Sequence, residues 1–151
     1  MGVIFRELID SSVQVDCVEK LIKKMGEMFV GQGFVKDSYI AAVQEREKKF
    51  PTGLNLKSIA IAMPHTDSIH VKKTGICVGK LNKPIDFRHM GNINQTVHAE
   101  LIFMMAILDP KKQIDTLRKV LEVFQNDAVV REFKNSASNE ELYDVAKKYL
   151  D

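Results

Sequence analysis

Two rhythms of apolar and polar residues run through this chain. After Asp16, the apolar residues Val18, Leu21, Ile22, Met25 and Phe29 recur at helical spacing. They predict an amphipathic helix, opened by a capping box of Asp16 and Glu19 and closed at Gly31 and Gly33. Tyr39, Ile40, Val43 and Phe50 predict a second helix, capped by Ser38 and stopped by Pro51. Ile114, Leu117, Leu121 and Phe124 mark a third, with Asp109 as N-cap and Pro110 at its first position. A short helix opens at Asp127 and runs to Phe133. A last helix opens at a Ser138–Glu141 capping box, with Leu142, Val145, Ala146 and Tyr149 inward.

Between the helices lie short apolar runs without helical period. Ile59 to Met63 and Leu101 to Leu108 read as strands buried on both faces. Gly75 to Leu81 reads as a further strand, Val3 to Leu8 as an edge strand, and Pro84 to Phe87 as a short edge piece. His89 to Gln95, with Gly91 and three amides, reads as a loop, as does the segment from Pro51-Thr52-Gly53 to Ser58. Helices alternating with buried strands predict one α/β domain over residues 1–151, a mixed, partly parallel sheet flanked by helices.

Composition narrows the function classes. Lys plus Arg number 22 and Asp plus Glu 20, for a net charge of +2, and the lysines fall in scattered pairs. This argues against nucleic acid or an anionic membrane as the main partner. The two cysteines form no CxxC motif, which fits a reduced, cytoplasmic setting. No apolar run reaches spanning length, and the first residues lack a signal core, so a soluble intracellular protein is expected.

The chemistry gathers behind Ile59 to Met63. Pro64 has no N–H and stops the ladder, so His65 is presented just past a rigid strand end. A free imidazole has a pKa of about 6.5 and is largely neutral near neutral pH, which makes His65 a candidate covalent nucleophile. If the two buried strands are parallel neighbours, Gln113, in the first turn of the helix after the second, comes to the same rim. That helix N-terminus would favour an anion there. Arg46 offers a planar fork for phosphate oxygens, against the alternative of a surface ion pair with Glu45 or Glu47. Thr52 offers a hydroxyl, or only caps its turn. His65, Asp67 and His70 raise a metal-hydrolase reading, but their spacing matches no standard zinc pattern. There is no P-loop, GxSxG elbow or HExxH. His89 and His98 read as surface residues.

Arg46-Glu47, Thr52-Gly53 and Ile59-Ala60-Ile61-Ala62-Met63-Pro64-His65 together resemble the signature of the fructose/mannitol-type enzyme IIA domains. These serve the bacterial phosphoenolpyruvate-dependent sugar phosphotransferase system. The likeness covers nearly the whole chain. It is closest to galactitol-type IIA proteins, through the run Glu45 to Gly53 and the segment from Pro64-His65 to Ile69-His70. Mannitol- and fructose-type members place a second His where this chain has Gln113. Galactitol-type members share the Gln and carry an extra His at the position of His70, so either residue is a candidate second site group.

The resemblance implies a phosphotransferase component without a cofactor. His65 would take a phosphoryl group from the histidine phosphocarrier protein and pass it to a cysteine of a IIB component. A sugar alcohol such as galactitol would be phosphorylated on entry through the membrane IIC component. A regulatory IIA-like module controlled by its phosphorylation state is the competing reading. Because two partners must visit one histidine, a shallow apolar patch with a polar rim is expected around His65, with Met63, Ile69 and Val71 as contributors.

Overall fold

The computed structural model describes residues 2–151. A five-stranded mixed sheet lies between two helical layers. Strand β1 (Ile4–Val13) is followed by helices α1 (Val18–Gly31) and α2 (Tyr39–Lys49). Then come β2 (Gly53–Asn55), β3 (Ala60–Ala62), a single 3₁₀ turn at Ser68–His70, and the long hairpin β4 (Gly75–His89) and β5 (Asn92–Ala106). Helices α3 (Pro110–Val123), α4 (Asp127–Asn135) and α5 (Asn139–Leu150) complete the chain. β1 pairs parallel with β4, β4 antiparallel with β5, β5 parallel with β3, and β3 antiparallel with β2. β2 then reaches the far end of β4 through Gly53 and His89, so the short strands and the hairpin tip curl into a ring.

The strand period explains the unbroken apolar runs. Along β5, Ile102, Met104 and Ala106 enter the core beneath α1 and α2, while Leu101, Phe103 and Met105 enter the core beneath α3, α4 and α5. Along β4, Cys77 faces the first layer and Ile76 and Val78 the second. With a helical layer on each face, every successive position must be apolar. Phe103, Phe124 and Phe133 form an aromatic cluster in the second layer, with centroids 4.8–6.0 Å apart.

Several local expectations need correction. The loop expected at His89–Gln95 is the end of a hairpin: β4 and β5 are 15 residues each and join through Met90-Gly91 alone. Asn92, Asn94 and Gln95 lie on a strand that projects past the core, so both its faces are wet and no apolar alternation marks it. The pieces Gly75–Leu81 and Pro84–Phe87 are one strand, and Pro84 falls in the register irregularity between Lys80 and Ile85. Gly53–Asn55, read as loop, is a strand. There a Cβ on Gly53 would lie 2.6 Å from the Arg88 carbonyl oxygen, so only glycine permits the approach.

The Asp16–Glu19 capping box does not form. Cys17 holds the N-cap position without a side-chain bond, and Asp16 pairs with Lys20 at 3.0 Å. Ser38 sits at the N-cap of α2 but makes no capping bond. Ile114 is exposed, because α3 turns Val120 inward and Phe124 follows it at the C-cap. The other caps form as expected. Asp109 accepts from the Lys111 amide at 3.0 Å, and Ser138 accepts from the Glu141 amide at 3.1 Å.

Candidate functional site

β3 is only three residues long, but it is an internal strand, parallel to β5 through Ile61–Leu101 and Ala62–Ile102. The parallel neighbours on which the rim argument depended are therefore present. The chain leaving β3 is clamped on both sides. The Met63 amide donates to Thr52 Oγ1 at 3.2 Å, and the Pro64 carbonyl accepts from the Met105 amide at 3.0 Å. His65 follows at once, only 7% exposed.

The His65 ring is fixed by one bond: Nδ1 lies 2.8 Å from the Met63 carbonyl oxygen. A carbonyl only accepts, so Nδ1 carries the hydrogen and Nε2 of the neutral ring keeps its lone pair. Nε2 makes no hydrogen bond among the described residues and is not sealed from solvent. Burial pushes the His65 pKa below 6.5; the Met63 carbonyl opposes this, Arg46 adds to it, and Asp67 opposes it. The neutral ring is thereby favoured.

His65 opens into a cavity of about 400 Å³. Arg46 and Lys49 from the end of α2 form its basic side, Pro51 and Thr52 its floor, and Phe50, Met90, Ile93 and Leu117 its apolar lip. Phe50 is 61% exposed, so this lip is open surface. Arg46 makes no ion pair among the described residues. Its alternative partners are engaged elsewhere, Glu45 with Lys49 at 3.8 Å and Glu47 with Thr52. The guanidinium lies 5.2 Å from the centroid of the Phe50 ring, and its Nε is buried without an acceptor. A buried donor of this kind calls for an anion brought by something else.

The Phosphoenolpyruvate-dependent sugar phosphotransferase system, EIIA 2, family model matches residues 3–149. The chain belongs to that family. Its members are phosphotransferase components that carry phosphoryl groups. The galactitol-specific EIIA component of Escherichia coli (strain K12) is 28% identical over 111 residues, covering 74% of this chain and 73% of its own. The crystal structure of IIA mannitol from Escherichia coli superposes with a TM-score of 0.77 at 23% identity, over 94% of this chain and 97% of that one. The complex of enzyme IIAMTL with phosphorylated enzyme IIBMTL, also from Escherichia coli, gives a TM-score of 0.75 at 22% identity, over 92% and 93%. These two solved structures carry the same fold.

Within this EIIA chain the remaining candidates separate. Gln113 is half-buried on α3, one turn before Leu117, and lies outside the residues lining the cavity. His70 lies in the 3₁₀ turn with Nδ1 2.7 Å from the Ser38 hydroxyl, away from the cavity. Among the described residues no group of three His, Cys, Asp or Glu side chains is disposed to hold a metal. The apolar patch exists, but Met63 and Val71 are core residues and cannot contribute. Ile69 is 68% exposed yet is not part of the lip. The hairpin tip supplies the lip instead, through Met90 and Ile93, which the loop reading missed.

Glu47 was also missed. Its Oε2 accepts from the Thr52 amide at 2.7 Å and its Oε1 from Thr52 Oγ1 at 2.8 Å. The Thr52 hydroxyl hydrogen is thus already committed. Burial raises the Glu47 carboxyl to about 7, against the two Thr52 bonds and Arg46. In the sequence Glu47 sits in a charged helical run that reads as a solvated face. Its helical spacing from Tyr39 and Val43, which puts it on the inward face of α2, is the signal that could have found it.

Proposed function

We propose that His65 accepts a phosphoryl group on Nε2 from the phosphohistidine of the histidine phosphocarrier protein and passes it to a cysteine of a IIB component. In the first step the donor's N–P bond breaks as the Nε2–P bond forms. In the second the Nε2–P bond breaks as an S–P bond forms. The Nδ1 hydrogen stays in place throughout. Positive charge that builds on the ring is met by the Met63 carbonyl. The three equatorial oxygens of the transferring group need donors held in place more than they need covalent machinery. Arg46 is the principal one, and Lys49 adds charge beside it.

The observation that carries this reading is the pairing of a tautomer-locked imidazole with a guanidinium whose buried Nε lacks an acceptor. The open lip of Phe50, Met90, Ile93 and Leu117 suits partners that dock in turn and leave. The IIAMTL–IIBMTL complex supports a IIB component as one of them. The galactitol-specific relative supports a sugar alcohol of that kind as the final acceptor, taken up through a IIC component. Such a carrier works in the cytoplasm, and no described helix is long and apolar enough to cross a membrane.

The test is incubation with phosphoenolpyruvate, enzyme I and the phosphocarrier, followed by intact-mass measurement. One acid-labile phosphate is expected, absent from His65→Ala. Phosphate that persists in His65→Ala but is lost in His70→Ala would move the site to the 3₁₀ turn.

A further inference from the structure

We propose that Glu47 is a positioning residue for His65, its carboxylate acting through Thr52 to set Met63, whose carbonyl oxygen fixes the imidazole. The inference rests on His65 being the phosphoryl acceptor and assigns a role to a charge buried beneath it. Four bonds make the chain. Glu47 takes the Thr52 amide hydrogen at 2.7 Å and the Thr52 hydroxyl hydrogen at 2.8 Å. With its hydrogen turned away, Thr52 Oγ1 accepts from the Met63 amide at 3.2 Å. Met63 then accepts the Nδ1 hydrogen of His65 at 2.8 Å.

An ionised carboxylate only accepts, so both Thr52 donors must point towards Glu47. That leaves a Thr52 Oγ1 lone pair for the Met63 amide and holds in place the carbonyl that sets the His65 tautomer. A protonated carboxyl offers a hydrogen from one oxygen, so one Thr52 donor loses its acceptor and the hydroxyl is free to turn. The ionised form therefore holds the ring more firmly. An amide at position 47 has the same defect, since its NH₂ cannot accept.

Glu47 also lines a second cleft, which His65 does not line. The charged groups facing it there are Lys48 of its own helix, Glu19 of α1, and Asp86 and Arg88 of β4, with Arg46 adjoining it in sequence. Lys48 is paired with Glu19 at 3.5 Å and Asp86 with His98 at 2.6 Å. The carboxyl, raised to about 7, changes state near neutrality.

The experiment uses the ¹⁵N-labelled full chain without any phosphate donor. In the wild type the ring nitrogens of His65 should report the Nδ1–H tautomer. The Thr52 and Met63 amide signals should move with an inflection near pH 7, and the His65 ring signals should follow. Glu47→Gln should remove that inflection and mix the tautomers. Thr52→Val should mix them too, whereas Thr52→Ser should behave as wild type.

In the complete phosphoryl relay, Glu47→Gln and Thr52→Val should slow transfer on the order of 10- to 100-fold, and Thr52→Ser should not. Wild-type His65 and Met63 signals that ignore the passage through pH 7 would overturn the proposal, and this needs no variant to fold. So would unchanged His65 tautomers in Glu47→Gln and Thr52→Val with only a lower melting temperature, the signature of a turn-holding role. Wild-type protein that shows the coupling but accepts no phosphate would instead overturn the phosphocarrier reading.

Discussion

His65 and His70 stand in one short segment and differ in almost every physical respect. His65 is nearly buried, locked by a main-chain carbonyl, beside a cavity with an unsatisfied guanidinium. His70 is half-buried on a 3₁₀ turn, bonded to a serine hydroxyl that rotates freely and can give or accept. The Met63 carbonyl dictates a tautomer; the Ser38 hydroxyl dictates none. An imidazole becomes a directed nucleophile through loss of water and a one-way hydrogen bond, and exposure alone does not supply either.

The strongest way to break this contrast is to exchange the roles. His65→Ala should abolish phosphate acceptance while His70→Ala leaves it at the wild-type level, read by intact mass. Next in size is Arg46→Ala, expected to slow transfer on the order of 100-fold with the fold intact, in stopped relay assays. Arg46→Lys should recover little of this, because an ammonium cannot present the fork or replace the buried Nε. Unchanged rates in either variant would remove Arg46 from the site.

A smaller effect concerns acid. The folded His65 pKa lies below its unfolded value of 6.5, so folding favours the neutral ring. That contribution is fully present above 6.5 and is lost as the pH falls through the lower folded value. The melting temperature should therefore drop further in acid for the wild type than for His65→Gln. Comparing the two chains cancels the opposite contribution of Glu47, whose raised pKa favours the fold at lower pH and loses that effect as the pH rises through about 7. The smallest effect is that of Ser38→Ala. It should change stability by no more than about 0.5 kcal/mol and leave transfer unaltered, since its partner is not in the cavity.

The sequence made the strand end at His65 legible because proline halts a ladder and because both buried strands read as continuous apolar runs. The parallel pairing of β3 with β5 then followed the expected α/β logic. What escaped had a weak signal in one dimension. The hairpin tip projects where both faces are wet, so its polar residues look like a loop. Glu47 lies in a run of charges that reads as a solvated face, yet it falls on the inward face of α2 with Tyr39 and Val43 and meets Thr52 there. Met63 and Val71 look like patch residues because they flank the site, but each is buried in the core, Met63 on the α3–α5 side and Val71 on the α1–α2 side. Gln113 occupies the expected helix, one turn away from the residue that reaches the lip.

The most direct measurement is ¹⁵N and ³¹P NMR of the chain after phosphorylation by the relay, which identifies the nitrogen that holds the phosphorus. The geometry predicts a bond to Nε2 of His65, with the Nδ1 hydrogen still on the Met63 carbonyl. Phosphorus on Nδ1, or on any nitrogen of His70, would contradict it.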